Sequence, residues 1–201
     1  MQRVDLGHAK LAPNFIGSWD LEPLDLCDVI VSYFESNPDK HALGRTDNGL
    51  NDLVKRSVDL TLQPNEIKLP ANEIFIKYFE ALFACYKDYL LQWPHLTIFA
   101  NKVEIGGFNI QRYQAGEHFQ QIHCERSSLA TLHRIFAWMT YLNDVADGGA
   151  TSFAHYDLEI QPRKGLTLIW PAEWTHAHKG NVVFSGSKYI ITGWIDLCNP
   201  N

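Results

Sequence analysis

From Phe108 onward the chain breaks into short apolar or alternating runs, "FNIQRY", "RIFAWMTYLN", "TSFAH", "LEIQP", "GLTLIWP" and "KYIITGWIDL", divided by Gly, Asn, Asp and Pro. Runs this short and this regularly punctuated read as β-strands, whose side chains alternate between two faces. The pattern predicts a sandwich or barrel. Two helical patterns precede it. "PLDLCDVIVSYFES" sets Leu26, Ile30, Tyr33 and Phe34 at helical spacing with Pro23 near its start. "ANEIFIKYFEALFACYKDYLLQW" gathers Phe75, Phe79, Leu82, Phe83, Tyr86 and Leu90 on one face before Pro94 stops it. Between them, turn chemistry at "TDNG" and alternation in "VDLTL" predict a loop or hairpin followed by a strand. The fold class is therefore α+β and mainly β, with helices on one face of a sheet. We read 1–201 as one domain, with helical support in 1–100 and a β-rich core in 105–195.

Composition narrows the partners. A formal charge of −6 with no Lys/Arg-rich run offers no broad field for phosphates, so no nucleic acid is expected. Neither a basic-then-apolar leader nor an apolar run of about 20 residues is present, so no membrane partner is expected. Cys27, Cys85, Cys124 and Cys198 form no CxxC pair, which suits reduced thiols. The expected location is cytoplasmic.

The chemistry-bearing residues cluster late in the chain. Strand periodicity puts His123 and Glu125 of "HCE" on one face, and likewise His176 and His178. In "SKYIITGWI", Lys188, Ile190, Thr192 and Trp194 share one side, while Tyr189, Ile191, Gly193 and Ile195 share the other. A lysine beside threonine and tryptophan suits neither a solvent face nor a core face; it suits an anion pocket. Two imidazoles and one carboxylate form the facial triad of non-haem Fe(II) oxygenases, and His123, Glu125 and either His176 or His178 could supply it.

Taken together, "YQAGEHFQQIHCE", "RIFAWMTYLNDVADGGATSF", "IQPRKGLTLIWP" and "HKGNVVFSGSKYIITGW" resemble the prolyl 4-hydroxylase-like branch of the 2-oxoglutarate- and Fe(II)-dependent oxygenases. The resemblance covers about residues 105–195. Weaker likeness to small bacterial and phage members extends to "FIGSWDL" and "KRSVDLTL". It implies a double-stranded β-helix, a jelly roll of cupin-like type, with the N-terminal helices packed on one sheet. It also implies metal ligation, and with it catalysis, by His123, Glu125 and His178; the family's ten-residue step from distal histidine to cosubstrate lysine selects His178 when that lysine is Lys188. Lys188, Tyr141 and Thr192 would hold the far carboxylate of 2-oxoglutarate, with Tyr113 bordering it. Arg134, Arg126 and Trp174 are candidate substrate contacts, and Trp194 a wall of the pocket.

The implied cofactors are Fe(II), 2-oxoglutarate and O₂, with ascorbate as an accessory reductant. The implied reaction is hydroxylation of a C–H bond, that of a prolyl residue in a peptide or protein above all, with release of succinate and CO₂; a small-molecule substrate stays open. Glu125 departs from the family's usual aspartate, yet a carboxylate is kept, which favours hydroxylation over halogenation. Two rival readings remain. One is a non-enzymatic jelly-roll binding protein with a decayed metal site. The other is a zinc-dependent hydrolase using His123, His176 and His178. His118 is read as preceding the metal strand, "NDVADGG" as a structural loop, and "GRTDNGLND" as a lid. "GHAK", His41, His95 and His155 are assigned surface or capping roles.

Overall fold

The computed structural model describes residues 1–5, 14–46, 49–100 and 102–198. "GHAK" therefore lies outside the described residues, as do Asp47 and Asn48 of the expected lid. The strands are β1 (Gln2–Arg3), β2 (Gly17–Asp20), β3 (Ala42–Leu43), β4 (Lys55–Arg56) and β5 (Val58–Leu62) in the first half. The second half carries β6 (Val103–Ile105), β7 (Phe108–Gln114), β8 (His118–His123), β9 (Arg134–Tyr141) and β10 (Thr151–Phe153). It ends with β11 (Leu158–Ile160), β12 (Leu166–Pro171), β13 (His178–Gly180) and β14 (Ser187–Leu197). Among the described residues these pair antiparallel into two sheets. The larger runs β1-β2-β12-β9-β14-β7-β5-β3, with β6 also on β14; the smaller runs β11-β10-β13-β8-β4. Strands neighbouring in space but distant in sequence are what a double-stranded β-helix requires.

Strand alternation divides the interior into two layers. In β9, Phe136 and Trp138 face a core shared with the helices, while Ala137, Met139 and Tyr141 face a second core between the sheets. In β14, Ile191 and Ile195 join the first core and Ile190 the second. Gly193 sits where β14 crosses the Trp138 ring: a Cβ there would come within 2.6 Å of Trp138 Cζ2.

Helices α1 (Asp25–Glu35) and α2 (Glu73–Gln92) cover the outer face of the larger sheet. Asp25 and Asp28 favour the α1 N-terminus through the helix dipole. Pro94, which lacks an N–H and restricts the residue before it, follows the end of α2. The apolar face of α2 differs from its sequence reading. Phe75, Tyr78, Leu82, Cys85, Tyr86 and Tyr89 are buried, whereas Phe83 is 52% exposed, with the Lys87 ammonium 4.6 Å from its ring centre. Three tyrosines with long apolar rings turn the helix by one position. Tyr78 reaches Thr140 Oγ1 at 2.8 Å, and Tyr89 donates to the Phe15 carbonyl at 2.7 Å, which satisfies their hydroxyls. Among the described residues no helix is long and apolar enough to cross a membrane.

Burial sets the relative cost of truncation on this helix. Leu82→Ala should cost about 2–5 kcal/mol of unfolding free energy, whereas Phe83→Ala should cost less than about 1 kcal/mol. Paired urea melts check this; equal losses would restore Phe83 to the core face.

Candidate active site

Strands β8 and β13 are antiparallel neighbours, and His178 pairs directly with His123. Their rings lie 4.5 Å apart between centroids. Glu125 stands two residues beyond the end of β8. The N–H groups of Glu125 and Arg126 both donate to the Ala172 carbonyl at 3.1 Å, which turns this segment back over the sheet end. Glu125 Oε1 then lies 3.6 Å from His123 Nε2 and 3.3 Å from His178 Nε2. One ligand atom from each of the three residues lies within 4.8 Å of the others.

The second-row contacts decide which atoms are available. His123 Nδ1 meets the Gln121 carbonyl at 2.9 Å, and His178 Nδ1 meets the His176 carbonyl at 2.8 Å. A carbonyl can only accept, so each Nδ1 carries the hydrogen and each Nε2 keeps its lone pair. Burial first, then the neighbouring His178, pushes the His123 pKa down to about 4, leaving the ring neutral at pH 7. Burial alone would raise the Glu125 pKa. The neighbouring His178 first, then His123 and the Trp194 indole, outweigh it and hold it down at about 2. Two imidazoles and one carboxylate converging on one point are the donor set that suits Fe(II). These residues fit the ion.

The cluster opens into a cavity of about 600 Å³ whose other end holds Lys188. Lys188 is buried; its ammonium donates to the Gly149 carbonyl at 2.9 Å and sits 4.5 Å from the Tyr113 ring centre. Among the described residues no carboxylate pairs with it, and burial pushes its pKa down to about 7. A Cβ on Gly180 would lie 3.7 Å from Lys188 Nζ. Gly180 is two residues from His178 along β13, about 7 Å of strand. A five-carbon keto acid spans about that length. An uncompensated cation facing a metal cluster across such a gap fits a dianion chelating at one end and paired at the other.

The other expected site residues fall into three groups. Tyr113 and Thr192 line the cavity, but each hydroxyl hydrogen is already committed, Tyr113 to Gln111 Oε1 at 2.7 Å and Thr192 to the Trp138 carbonyl at 2.8 Å. Tyr141 does not line it; its hydroxyl donates to Thr151 Oγ1 at 2.7 Å, and Thr151 does. Thr151 is thus the hydroxyl that faces the cavity on this side, and Tyr141 donates to it. No sequence signal singled out Thr151 from other strand threonines.

Arg134 lines the cavity, with its Nη1 on the Glu125 carbonyl at 3.2 Å. Two proposed substrate contacts are displaced. Arg126 is held by Glu173 Oε1 at 2.6 Å, away from the cavity lining, and Trp174 is 67% exposed on the outer surface beside His155.

The shared face expected for His176 and His178 is not formed, because His176 closes a 3₁₀ turn (Trp174–His176) and only His178 enters the strand. The His176 ring turns to the Asn14 carbonyl (2.8 Å), the Tyr156 hydroxyl (3.3 Å) and Thr175 Oγ1 (3.0 Å). It is outside the metal cluster, which removes the three-histidine hydrolase reading. His118 is the first residue of β8, so it lies in the metal strand rather than before it. "NDVADGG" is a structural loop that also supplies the Gly149 carbonyl for Lys188; Gly148 and Gly149 have φ of 77° and 71°. Trp194 does more than wall the cavity: its indole N–H donates to Glu125 Oε2 at 2.7 Å. Of the expected lid, Arg45 and Thr46 line the cavity mouth.

The two histidines should separate cleanly. His178→Ala should abolish Mn(II) binding in calorimetric titrations. His176→Ala should leave the Mn(II) Kd within about threefold while costing about 1–3 kcal/mol of stability through its orphaned partners. Loss of binding in both variants would put His176 back among the ligands.

Residues 108–196 match the family model of the 2OG-Fe(II) oxygenase superfamily. Prolyl 4-hydroxylase subunit alpha-1 of Gallus gallus is 30% identical over 74 residues, covering 33% of this chain and 14% of that protein, so the chain matches only a small part of its length. The viral collagen prolyl hydroxylase of Paramecium Bursaria Chlorella virus-1, solved as a 2OG complex, superposes with a TM-score of 0.67 at 17% identity, covering 93% of this chain and 98% of that one. A Trichoplax adhaerens prolyl hydroxylase, solved with a hypoxia inducible factor peptide fragment, gives 0.69 at 12% identity over 94% and 86%. The matched stretch, residues 108–196, contains the whole His123, Glu125 and His178 cluster and Lys188.

Proposed function

We propose that this chain is a 2-oxoglutarate- and Fe(II)-dependent dioxygenase that hydroxylates a C–H bond, with a prolyl residue of a peptide or protein as its substrate. The observation that carries the reading is the pairing, in one cavity, of the His123, Glu125 and His178 cluster with a buried lysine lacking a counter-charge. The superfamily match and the prolyl hydroxylase neighbours support the same chemistry. The prolyl substrate rests on likeness to those neighbours, one of them solved with a peptide. We place the enzyme in the cytoplasm, a reading supported by four free cysteines among the described residues.

His123, Glu125 and His178 would hold the iron, which when bound with the keto acid and O₂ supplies the oxidation of an unactivated C–H bond, releasing succinate and CO₂. The chain's own residues do the rest. The carbonyls of Gln121 and His176 fix the imidazole planes and tautomers. Phe119 stacks on His123 with ring centroids 3.9 Å apart, and Trp170 packs edge-on to His178 at 5.1 Å, so neither ring can turn away. Lys188 and Thr151 present a charge and a hydroxyl to the far carboxylate. Met139, Ile190 and Trp170 line the space between and exclude water, which strengthens the lysine's hold on an anion.

Mixing Fe(II) and 2-oxoglutarate with the protein without oxygen should give the visible charge-transfer band, absent in His178→Ala. Mass spectrometry should then find an added oxygen on prolyl peptides within a panel that includes free amino acids. No band in the wild type would sink the enzymatic reading and favour the binding-protein alternative. Oxygen on a free amino acid alone would sink only the peptide substrate.

Lys188 also dictates a pH dependence. Binding the dianion raises its pKa from about 7. Affinity for 2-oxoglutarate should therefore be full below pH 7 and fall by up to about tenfold per unit as the pH rises above it. The same lysine opposes folding. Between pH 7 and its ordinary value of 10.5 the unfolded chain holds the extra proton, so native stability rises with pH across that window. Lys188→Met should abolish keto-acid binding by calorimetry with no fall in Tm at pH 7.5.

A further inference from the structure

Glu125 carries one more rotatable bond than the aspartate usual at this place, and a carboxylate with that freedom can offer an ion one oxygen or two. The structure removes the choice. Trp194 Nε1 donates to Oε2 at 2.7 Å, while Oε1 alone faces the two imidazole Nε2 atoms. Trp194 lies inside β14, opposite Ala137 of β9. The Arg134 guanidinium stacks 3.6 Å from its ring centre and donates to the Glu125 carbonyl at 3.2 Å. Arg134 begins β9 and stands opposite Asp196 of β14, which lies near enough to feel its charge. Two adjacent strands thus grip one residue at both its side chain and its main chain. The residues doing so also hold each other, since a cation over an indole face strengthens the N–H on its edge.

We infer that Trp194 and Arg134 are positioning residues for Glu125, fixing it as a single-oxygen ligand, and that Glu125 and Trp194 work as a matched pair. The inference rests on the metal-site reading above. Its logic is geometric: an aspartate, one methylene shorter, would withdraw its second oxygen from the indole, so the tryptophan N–H serves only a glutamate.

The test uses Co(II) alone, titrated by its visible d–d absorption into the wild type, Trp194→Phe, Glu125→Asp and the double variant. Trp194→Phe should weaken Co(II) by about 10–100-fold and shift the d–d bands. In the Glu125→Asp background the same change should alter the Kd by less than about threefold. A wild-type Kd and spectrum in Trp194→Phe would overturn the inference, as would an equal loss in both backgrounds. Should circular dichroism show Trp194→Phe unfolded, Arg134→Gln decides in its place: a Co(II) Kd raised by more than about threefold supports the grip, and a wild-type value overturns it. A wild type that binds no Co(II) overturns the metal-site reading itself, a result independent of either variant.

Discussion

The pairing of His178 with His123 across β13 and β8 is the contact on which the site depends. Antiparallel partners face the same side of their sheet, so two residues 55 positions apart in sequence arrive with their rings touching. Everything else in the cluster is adjusted to that pair. The chain leaves β8 immediately after His123, and the Ala172 carbonyl catches the next two N–H groups, so Glu125 returns to the pair instead of following the strand outward. A one-residue slip of β13 would send His178 to the outer face and bring Lys179 in. The small sheet's register is therefore a requirement of the chemistry as much as of the fold.

Strand β14 shows how one element serves two purposes. Its even-numbered residues Lys188, Ile190, Thr192 and Trp194 line the cavity, and its odd-numbered Ile191 and Ile195 pack under the helices. The second set anchors the first. β14 is paired with β7 on one side and β9 on the other, so the lysine, the threonine and the tryptophan are fixed by a ladder rather than by a loop. A backbone held this way gives a buried cation a fixed position, which a dianionic ligand needs if one end is to reach the metal cluster.

Period-two alternation was enough to read this partition of β14 from the chain, and the family resemblance, through its ten-residue step to Lys188, pointed to His178 and His123. What they could not supply is where a strand begins. His176 and His178 are two apart, and a strand through both would put them side by side; Trp174–His176 instead forms a turn, entered from the extended backbone of Glu173 and closed by the Ala177 N–H on the Trp174 carbonyl. Hydroxyl assignments were equally hidden. Tyr141 and Thr192 have the right chemistry for an anion, but the hydrogens of both are taken by Thr151 and by the Trp138 carbonyl, contacts that only the assembled sheet creates. The helix face of α2 differs at Phe83 because hydrophobic scales rank phenylalanine above tyrosine, whereas Tyr78 and Tyr89 find partners for their hydroxyls and are buried here.

The cavity holds a second buried lysine, and the contrast explains why only one of the two can serve an anion. Lys55 is 2.6 Å from Asp59 Oδ2, and that carboxylate is further satisfied by Ser57 Oγ at 2.7 Å and Gln111 Nε2 at 3.1 Å. Its charge is spent within a closed network, so an incoming carboxylate would gain little Coulomb energy there and would meet Asp59 as a like charge. Lys188 has a carbonyl and an aromatic face, which solvate an ammonium without neutralising it. Both lysines are buried to a similar degree and both line the same cavity. The difference lies in the partner left out, and leaving a buried cation unpaired is a cost that folding alone would select against. A ligand that brings two negative charges removes that cost, and the metal cluster at the other end of the cavity gives such a ligand its second point of attachment.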